Sequence, residues 1–223
     1  MGAALSRLAK EAPDLELVDE LATADVVIDY SHPDWTGPLL GRLRQAPRPL
    51  IVGTTGLGET LQANLRALAQ EVPVVQAANT GTGINILREL VEKAVALAGD
   101  GWDIEILEMH HRKKVDAPSG TAWMLLETAA GGGRDRAVPS RVGEPGARTD
   151  DEIGVQTLRG GDVVGEHTVY LVGHGERIEL THRCWDRDTF AHGGLRAARW
   201  AAAADRSPGL YSMADVLAGA SPA

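Results

Sequence analysis

Three short apolar runs set the fold class of this chain. Residues 25–30 (Asp-Val-Val-Ile-Asp-Tyr), 50–52 (Leu-Ile-Val) and 72–76 (Val-Pro-Val-Val-Gln) each read as a buried strand, and helical patterns separate them. Residues 3–11, ahead of the first strand, also read as a helix, followed by the apolar stretch 15–18. A second helix is predicted over 39–44, and Leu61, Leu65 and Leu68 mark a third. Strand–helix alternation of this kind predicts a parallel sheet that receives its ligands at the carboxyl ends of the strands. Gly53-Thr54-Thr55-Gly56 and Ala77-Ala78-Asn79-Thr80 lie at two such ends.

Beyond Thr80 the pattern changes. Leu87, Leu90, Val91, Ala94 and Leu97 make one face of a helix, and Trp102, Ile104 and Ile106 alternate along a strand over 102–109. Residues 131–151, rich in glycine, arginine and proline, read as a mobile loop. Strands follow over 153–158, 163–172 and 177–182, the last two joined as a hairpin through Gly173-His174-Gly175-Glu176. Residues 196–204 and 212–217 read as helices. The second part is therefore an α+β domain with a mixed sheet whose exposed edges need covering.

The chemistry concentrates between Glu105 and Leu126. His110-His111-Arg112-Lys113-Lys114 puts imidazoles and positive charge into a chain whose net formal charge is −9. Such a local inversion suits acid–base work on a small anion. Ser119 is a good helix N-cap, and Ser119, Gly120 and Thr121 open a helix whose free N–H groups make a seat for a carboxylate or phosphate. Adjacent histidines on a strand point to opposite faces, and no acidic or cysteine partner stands at zinc spacing, so no metal site is expected. Arg112 and Lys113 read as solvated loop charges. His167, His174, His182 and His192 are scattered and read as structural or solvated. The single cysteine, Cys184, excludes an internal disulfide and fits a reducing cytoplasm. No apolar run approaches the roughly 20 residues that cross a bilayer, and neither a membrane nor a nucleic acid is expected as a partner.

Glu108, His110, His111, Lys114, Asp116, Ala117, Pro118, Ser119, Gly120, Thr121 and Ala122 match every fixed position of a signature Glu-x-His-His-x-x-Lys-x-Asp-Ala-Pro-Ser-Gly-Thr-Ala. At these residues the chain resembles the 4-hydroxy-tetrahydrodipicolinate reductase (dihydrodipicolinate reductase) family. Residues 52–56, 77–79, 164–168 and 189–193 resemble further family segments in the same order. The resemblance implies a Rossmann-like dinucleotide domain over 1–80 and 188–223, and a substrate-binding and oligomerisation domain over 81–187. It implies reduction of 4-hydroxy-tetrahydrodipicolinate by NADH or NADPH, in lysine and diaminopimelate biosynthesis, by a cytoplasmic homotetramer. His110 carries over as the catalytic acid and base, with Lys114 as its proton-donating partner. His111, Gly120 and Thr121 carry over as substrate contacts, with Ser119 beside them. Gly53, Thr54, Thr55, Ala77, Ala78, Asn79, Thr80, Arg187 and Phe190 carry over as cofactor contacts.

Departures from the family pattern fall near the beginning. Met1-Gly2 fits the last two residues of the family's glycine-rich phosphate loop, so the first strand and most of that loop are not expected in this chain. The region after Val18 is also short, and Thr80 stands where a phenylalanine is common. The favoured reading is a reductase whose start was assigned at an internal methionine. The alternatives are a cofactor-deficient homologue that binds or senses a dicarboxylate, a catalyst of the dehydration alone, and an unrelated metal-dependent hydrolase.

Overall fold

The computed structural model describes residues 1–132 and 135–219. In chain order its elements are α1 (Gly2–Glu11), β1 (Val27–Asp29), α2 (Pro33–Leu43), β2 (Leu50–Val52), α3 (Glu59–Leu68), β3 (Pro73–Gln76), α4 (Thr82–Ala98), β4 (Asp103–His110), α5 (Gly120–Ala129), β5 (Ala137–Pro139), β6 (Ile153–Arg159), β7 (Gly165–Gly173), β8 (Glu176–Cys184), α6 (Asp188–Ala201), β9 (Gly209–Tyr211) and α7 (Met213–Ala218). The chain divides into two compact units, Met1–Asn85 with Asp188–Ala223, and Ile86–Arg187.

In the first unit the strands run β1-β2-β3-β9, all parallel. Continuous apolar runs suit such a sheet because both faces are covered. Leu50, Val52 and Val74 pack with Leu40 and Leu43 of α2 and Leu65 and Leu68 of α3 on one face. Ile51 and Val75, one residue out of phase, pack with Ala197, Ala198 and Ala201 of α6 and Met213 and Val216 of α7 on the other. Each fully buried leucine, isoleucine or valine among them stabilises the unit by about 1.5–3 kcal/mol.

Two helix starts and one strand differ from the sequence expectation. Helix α2 begins at Pro33, ahead of the predicted 39, because the His32 side chain accepts the Asp34 N–H and Pro33 needs no partner in the first turn. Helix α6 begins at Asp188, ahead of 196. Its Gly193 and Gly194 argue against helix by propensity, yet they let the helix lie flat: a Cβ on Gly193 would stand 1.8 Å from the Thr80 carbonyl oxygen, and one on Gly194 2.6 Å from the Tyr30 hydroxyl. Strand β9, three residues long, escapes any periodicity argument. The apolar stretch 15–18 forms no strand. Beside β1, one of the two edge strands of this sheet among the described residues, runs a cavity of about 410 Å³ lined by Leu5, Ala9, Leu15, Val18, Ile28 and Leu195.

In the second unit the order is β5-β6-β4-β7-β8, with β4 parallel to β6 and antiparallel to β7. Every second residue of β4 from Ile104 to His110 is buried. Helix α5 covers this face with Ala122, Leu125, Leu126 and Ala129. The predicted helix face of α4 holds only in part, since Leu87 and Val91 are buried whereas Leu90 and Leu97 are exposed. The stretch read as a mobile loop carries β5 and two anchoring arginines. Arg148 bonds Asp103 at 2.7 Å and the Glu152 carbonyl at 2.6 Å, and Arg141 reaches Glu105 and Glu152. Gly133 and Arg134, in the same stretch, lie outside the described residues.

Two glycine substitutions separate close packing from propensity. Gly193→Ala is expected to lower the unfolding free energy by about 3 kcal/mol through overpacking. Gly41→Ala, at a position in α2 with open space around it, is expected to raise it by up to about 1 kcal/mol. Urea denaturation of the two variants beside the parent checks both signs.

Candidate active site

The period of two that buries Ile104 and Ile106 continues through the end of β4, and it turns Glu108 and His110 onto the same covered face. Glu108 is fully buried. A carboxylate in that position needs donors on both oxygens, and the structure supplies five hydrogen bonds. Arg159, at the end of β6, grips it bidentately at 2.8 Å on each oxygen. The Ser119 N–H donates at 3.0 Å, the Thr157 hydroxyl at 3.2 Å, and the His110 Nδ1 lies 2.6 Å away. Burial alone would raise the Glu108 pKa; the bonds from His110 and Arg159 outweigh it and hold the group at about 2.

Ser119 ties the carboxylate to the head of α5. Its Oγ accepts the Ala122 N–H at 3.2 Å as N-cap of α5, and the same atom lies 3.2 Å from His167 Nε2. His167 pairs across β7 with Glu108, is buried, and meets the His110 ring edge-on at 5.1 Å between centroids. Its Nδ1 is buried without a hydrogen-bond partner. Burial, followed by the charge on His110, pushes its pKa down to about 3. Gly120 is exposed at the mouth of α5, and nothing lies within 4 Å of where its Cβ would be. The open space lies at Gly120 itself; the Ser119, Ala122 and Trp123 amides at the same helix end are already bonded to Glu108, to the Ser119 hydroxyl and to the Ser119 carbonyl.

The other predicted residues divide. His111 is half-buried beyond the strand end, and Lys114 pairs with Asp116 at 2.9 Å, which lies on the His110 side of the Ser119 cap in sequence. Arg112 and Lys113 are exposed. In the first unit, Gly53, Thr54 and Thr55 follow β2, and Ala77, Ala78, Asn79 and Thr80 follow β3. Several of these side chains hold the loops themselves. A Cβ on Gly53 would stand 2.0 Å from the Tyr30 ring, and Thr54 Oγ1 accepts the Ser31 N–H at 3.1 Å. Asn79 accepts the Gly81 N–H, and Thr80 donates to the Phe190 carbonyl at 2.7 Å while also bonding Tyr30. Thr55 and Ala78 are exposed. Arg187 is exposed at the end of the second unit, and Phe190 is half-buried in the first turn of α6.

Comparison with known proteins decides the family. Residues 14–80 match the N-terminal model of dihydrodipicolinate reductase, and residues 83–217 match its C-terminal model. The chain belongs to the dihydrodipicolinate reductase family. It is 50% identical over 219 residues to the 4-hydroxy-tetrahydrodipicolinate reductase of Alkalilimnicola ehrlichii, covering 96% of this chain and 81% of that protein. The enzyme of Syntrophotalea carbinolica is 46% identical over 206 residues, covering 91% and 76%. Among solved structures, the dipicolinate-bound dihydrodipicolinate reductase from Paenisporosarcina sp. TG-14 superposes with a TM-score of 0.76 at 20% identity, covering 95% of this chain and 92% of that one. That likeness establishes the shared fold.

Sequence reasoning matched Glu108 to the family signature and gave it no role; it passed over Arg159 and set His167 aside. Glu108 was within reach, because it extends the alternation of Ile104 and Ile106 by one more step. Arg159 and His167 become neighbours of Glu108 only through strand pairing.

The depressed His167 pKa makes a signed prediction. Between about pH 6.5 and about pH 3 the unfolded chain protonates this residue and the folded chain does not, so unfolding free energy falls as pH drops through that window, by up to ~1.4 kcal/mol per unit. His167→Gln is expected to flatten the decline by that amount. Urea midpoints of both proteins at about pH 7.5 and about pH 5 measure it.

Proposed function

We propose that this chain reduces 4-hydroxy-tetrahydrodipicolinate to tetrahydrodipicolinate, with loss of water, at the carboxyl end of β4. Family membership carries the reaction and its use of NADH or NADPH. The observation that supports the site is the meeting of an oriented imidazole and a helix-end anion seat on one buried carboxylate, Glu108. His110 is the acid that delivers a proton to the substrate ring. The amides of Gly120 and Thr121 at the start of α5 receive one substrate carboxylate. Lys114 and His111 serve the other end of the ring, where an incoming carboxylate competes with Asp116 for the Lys114 ammonium. Ser119 holds the seat in shape through its N-cap bond.

The nicotinamide cofactor, when bound, supplies the hydride. The residues after β2 and β3 fit such a group in part. Thr55 and Ala78, exposed after β2 and β3, offer backbone at the carboxyl ends of parallel strands, while the Gly53 and Ala77 N–H groups bond the Asp29 and Val52 carbonyls. The Thr54, Asn79 and Thr80 side chains are committed to loop and helix-end bonds, and their share of the binding is through the backbone. The first-turn amides of α1 add a positive helix end for phosphate.

We also read the chain as a homo-oligomer, with a tetramer as the expected state. The face of the second-unit sheet opposite α5 presents Leu107, Met109, Tyr170 and the half-exposed Leu158 among the polar Glu105, Glu166 and Thr168. A partly apolar sheet face of this kind is a surface that symmetric association can bury.

His110→Gln tests the acid. It is expected to lower kcat by about 10²–10⁴-fold with little change in KM, measured as nucleotide oxidation in the presence of the dicarboxylate. Turnover at the parental rate would reject His110 as the acid. Light scattering on the eluting protein is expected to give four times the 23.6 kDa chain mass; a monomer would remove the sheet face as an interface.

A further inference from the structure

Building on the reading of His110 as the proton donor, we infer that Glu108 and Arg159 form a positioning pair that holds the His110 ring as its Nδ1–H tautomer, so that Nε2 is the atom carrying the transferred proton. Glu108 reaches Nδ1 at 2.6 Å, and its remaining capacity is taken by N–H and O–H donors from Arg159, Ser119 and Thr157. A carboxylate in such company is ionised and can only accept. The His110 nitrogen facing it therefore bears a hydrogen. The alternative neutral tautomer would set a bare nitrogen lone pair against a carboxylate oxygen in a buried site, a repulsion with no solvent to screen it.

Arg159 makes the carboxylate a rigid reference. Its two terminal nitrogens span both oxygens and also donate to the Leu158 and Asp116 carbonyls, each at 2.7 Å, so the plane of Glu108 is fixed to β6 and to the loop before α5. Gly165 of β7 supplies the room. A Cβ there would come within 3.0 Å of His110 Nε2, so this position leaves the reacting nitrogen its space. The charged and titratable groups packed about the ring are Glu108 on its own strand, held by Arg159 on β6, and His167 on β7, with His182 of β8 paired to His167 and Lys114 bound to Asp116 in the loop. His167, buried and neutral in the working range, adds no second positive charge beside the protonated ring.

The proton accounting follows. The doubly protonated ring gives the Nε2 proton to the substrate and remains neutral with Nδ1–H on Glu108; solvent returns a proton to Nε2 before the next turnover. Glu108 keeps its charge throughout. It touches neither substrate nor cofactor and acts only through His110.

The test combines histidine ¹⁵N NMR with steady-state kinetics on the full chain. Signals of His110 are identified as those missing from His110→Gln among the seven histidines. At pH values where the ring is neutral, the parent is expected to show a protonated Nδ1 and a bare Nε2, and Glu108→Gln to show a mixture of the two forms. Glu108→Gln is expected to lower kcat by about 100-fold or more with KM within about threefold, and to move the high-pH fall of the kcat profile toward lower pH. Arg159→Lys, which keeps the charge and loses the fork, gives a smaller shift in the same direction and serves if Glu108→Gln does not fold. A parent ring protonated at Nε2, or Glu108→Gln with the parental tautomer, profile and turnover, overturns the positioning role. Undiminished turnover in His110→Gln overturns instead the acid assignment on which it rests.

Discussion

Glu108 has no contact with solvent, and an isolated carboxylate in that position would cost several kcal/mol. Its tolerance there depends on the donors that surround it, and those donors come from separate pieces of chain: His110 from its own strand, Thr157 and Arg159 from β6, and Ser119 from the head of α5. Losing any one leaves a buried polar group short of a partner. The central strand, its parallel neighbour and the helix that covers them are thereby held in register by one charge. The orientation of the His110 imidazole and the placement of the α5 N-terminus are consequences of the same set of bonds.

The first unit is organised by close approach. Gly53 lets the Tyr30 ring lie over the β2 loop, and Gly193 lets α6 press on the Thr80 carbonyl. Thr80 and Tyr30 then bond each other and the start of α6, so the loops that follow the strands are shaped by contacts with that helix. The loop side chains there do structural work, and their backbone faces the carboxyl ends of the strands, where parallel sheets receive ligands.

Much of this was legible in the linear pattern. The parallel sheet followed from short continuous apolar runs at helical spacing, and the mixed sheet from Ile104 alternating with Ile106 and from a hairpin around Gly173 and Gly175. The Ser119 cap was legible because capping is local: the residue type, the following helix formers and the preceding proline suffice. Helix α6 was misjudged at its start because propensity penalises Gly193 and Gly194, and only the neighbouring Thr80 and Tyr30 explain why glycine is needed. The arginine-rich stretch read as loose because its anchors, Asp103, Glu105 and Glu152, lie partly on a strand far away in sequence.

By itself the sequence determined which residue types reach the end of β4, that a capped helix opens beside them, and to which family the signature belongs, since each of these depends on spacing along a few turns or strand steps. Tertiary structure alone decided what those residues do to one another. Arg159 lies 51 positions from Glu108 and His167 lies 48 from Ser119; strand pairing brings them together, and burial converts that nearness into a fixed ring, an ionised carboxylate and a neutral histidine. Charge and hydrogen-bond strength depend on how much water is excluded, and exclusion belongs to the folded assembly of strands and helix.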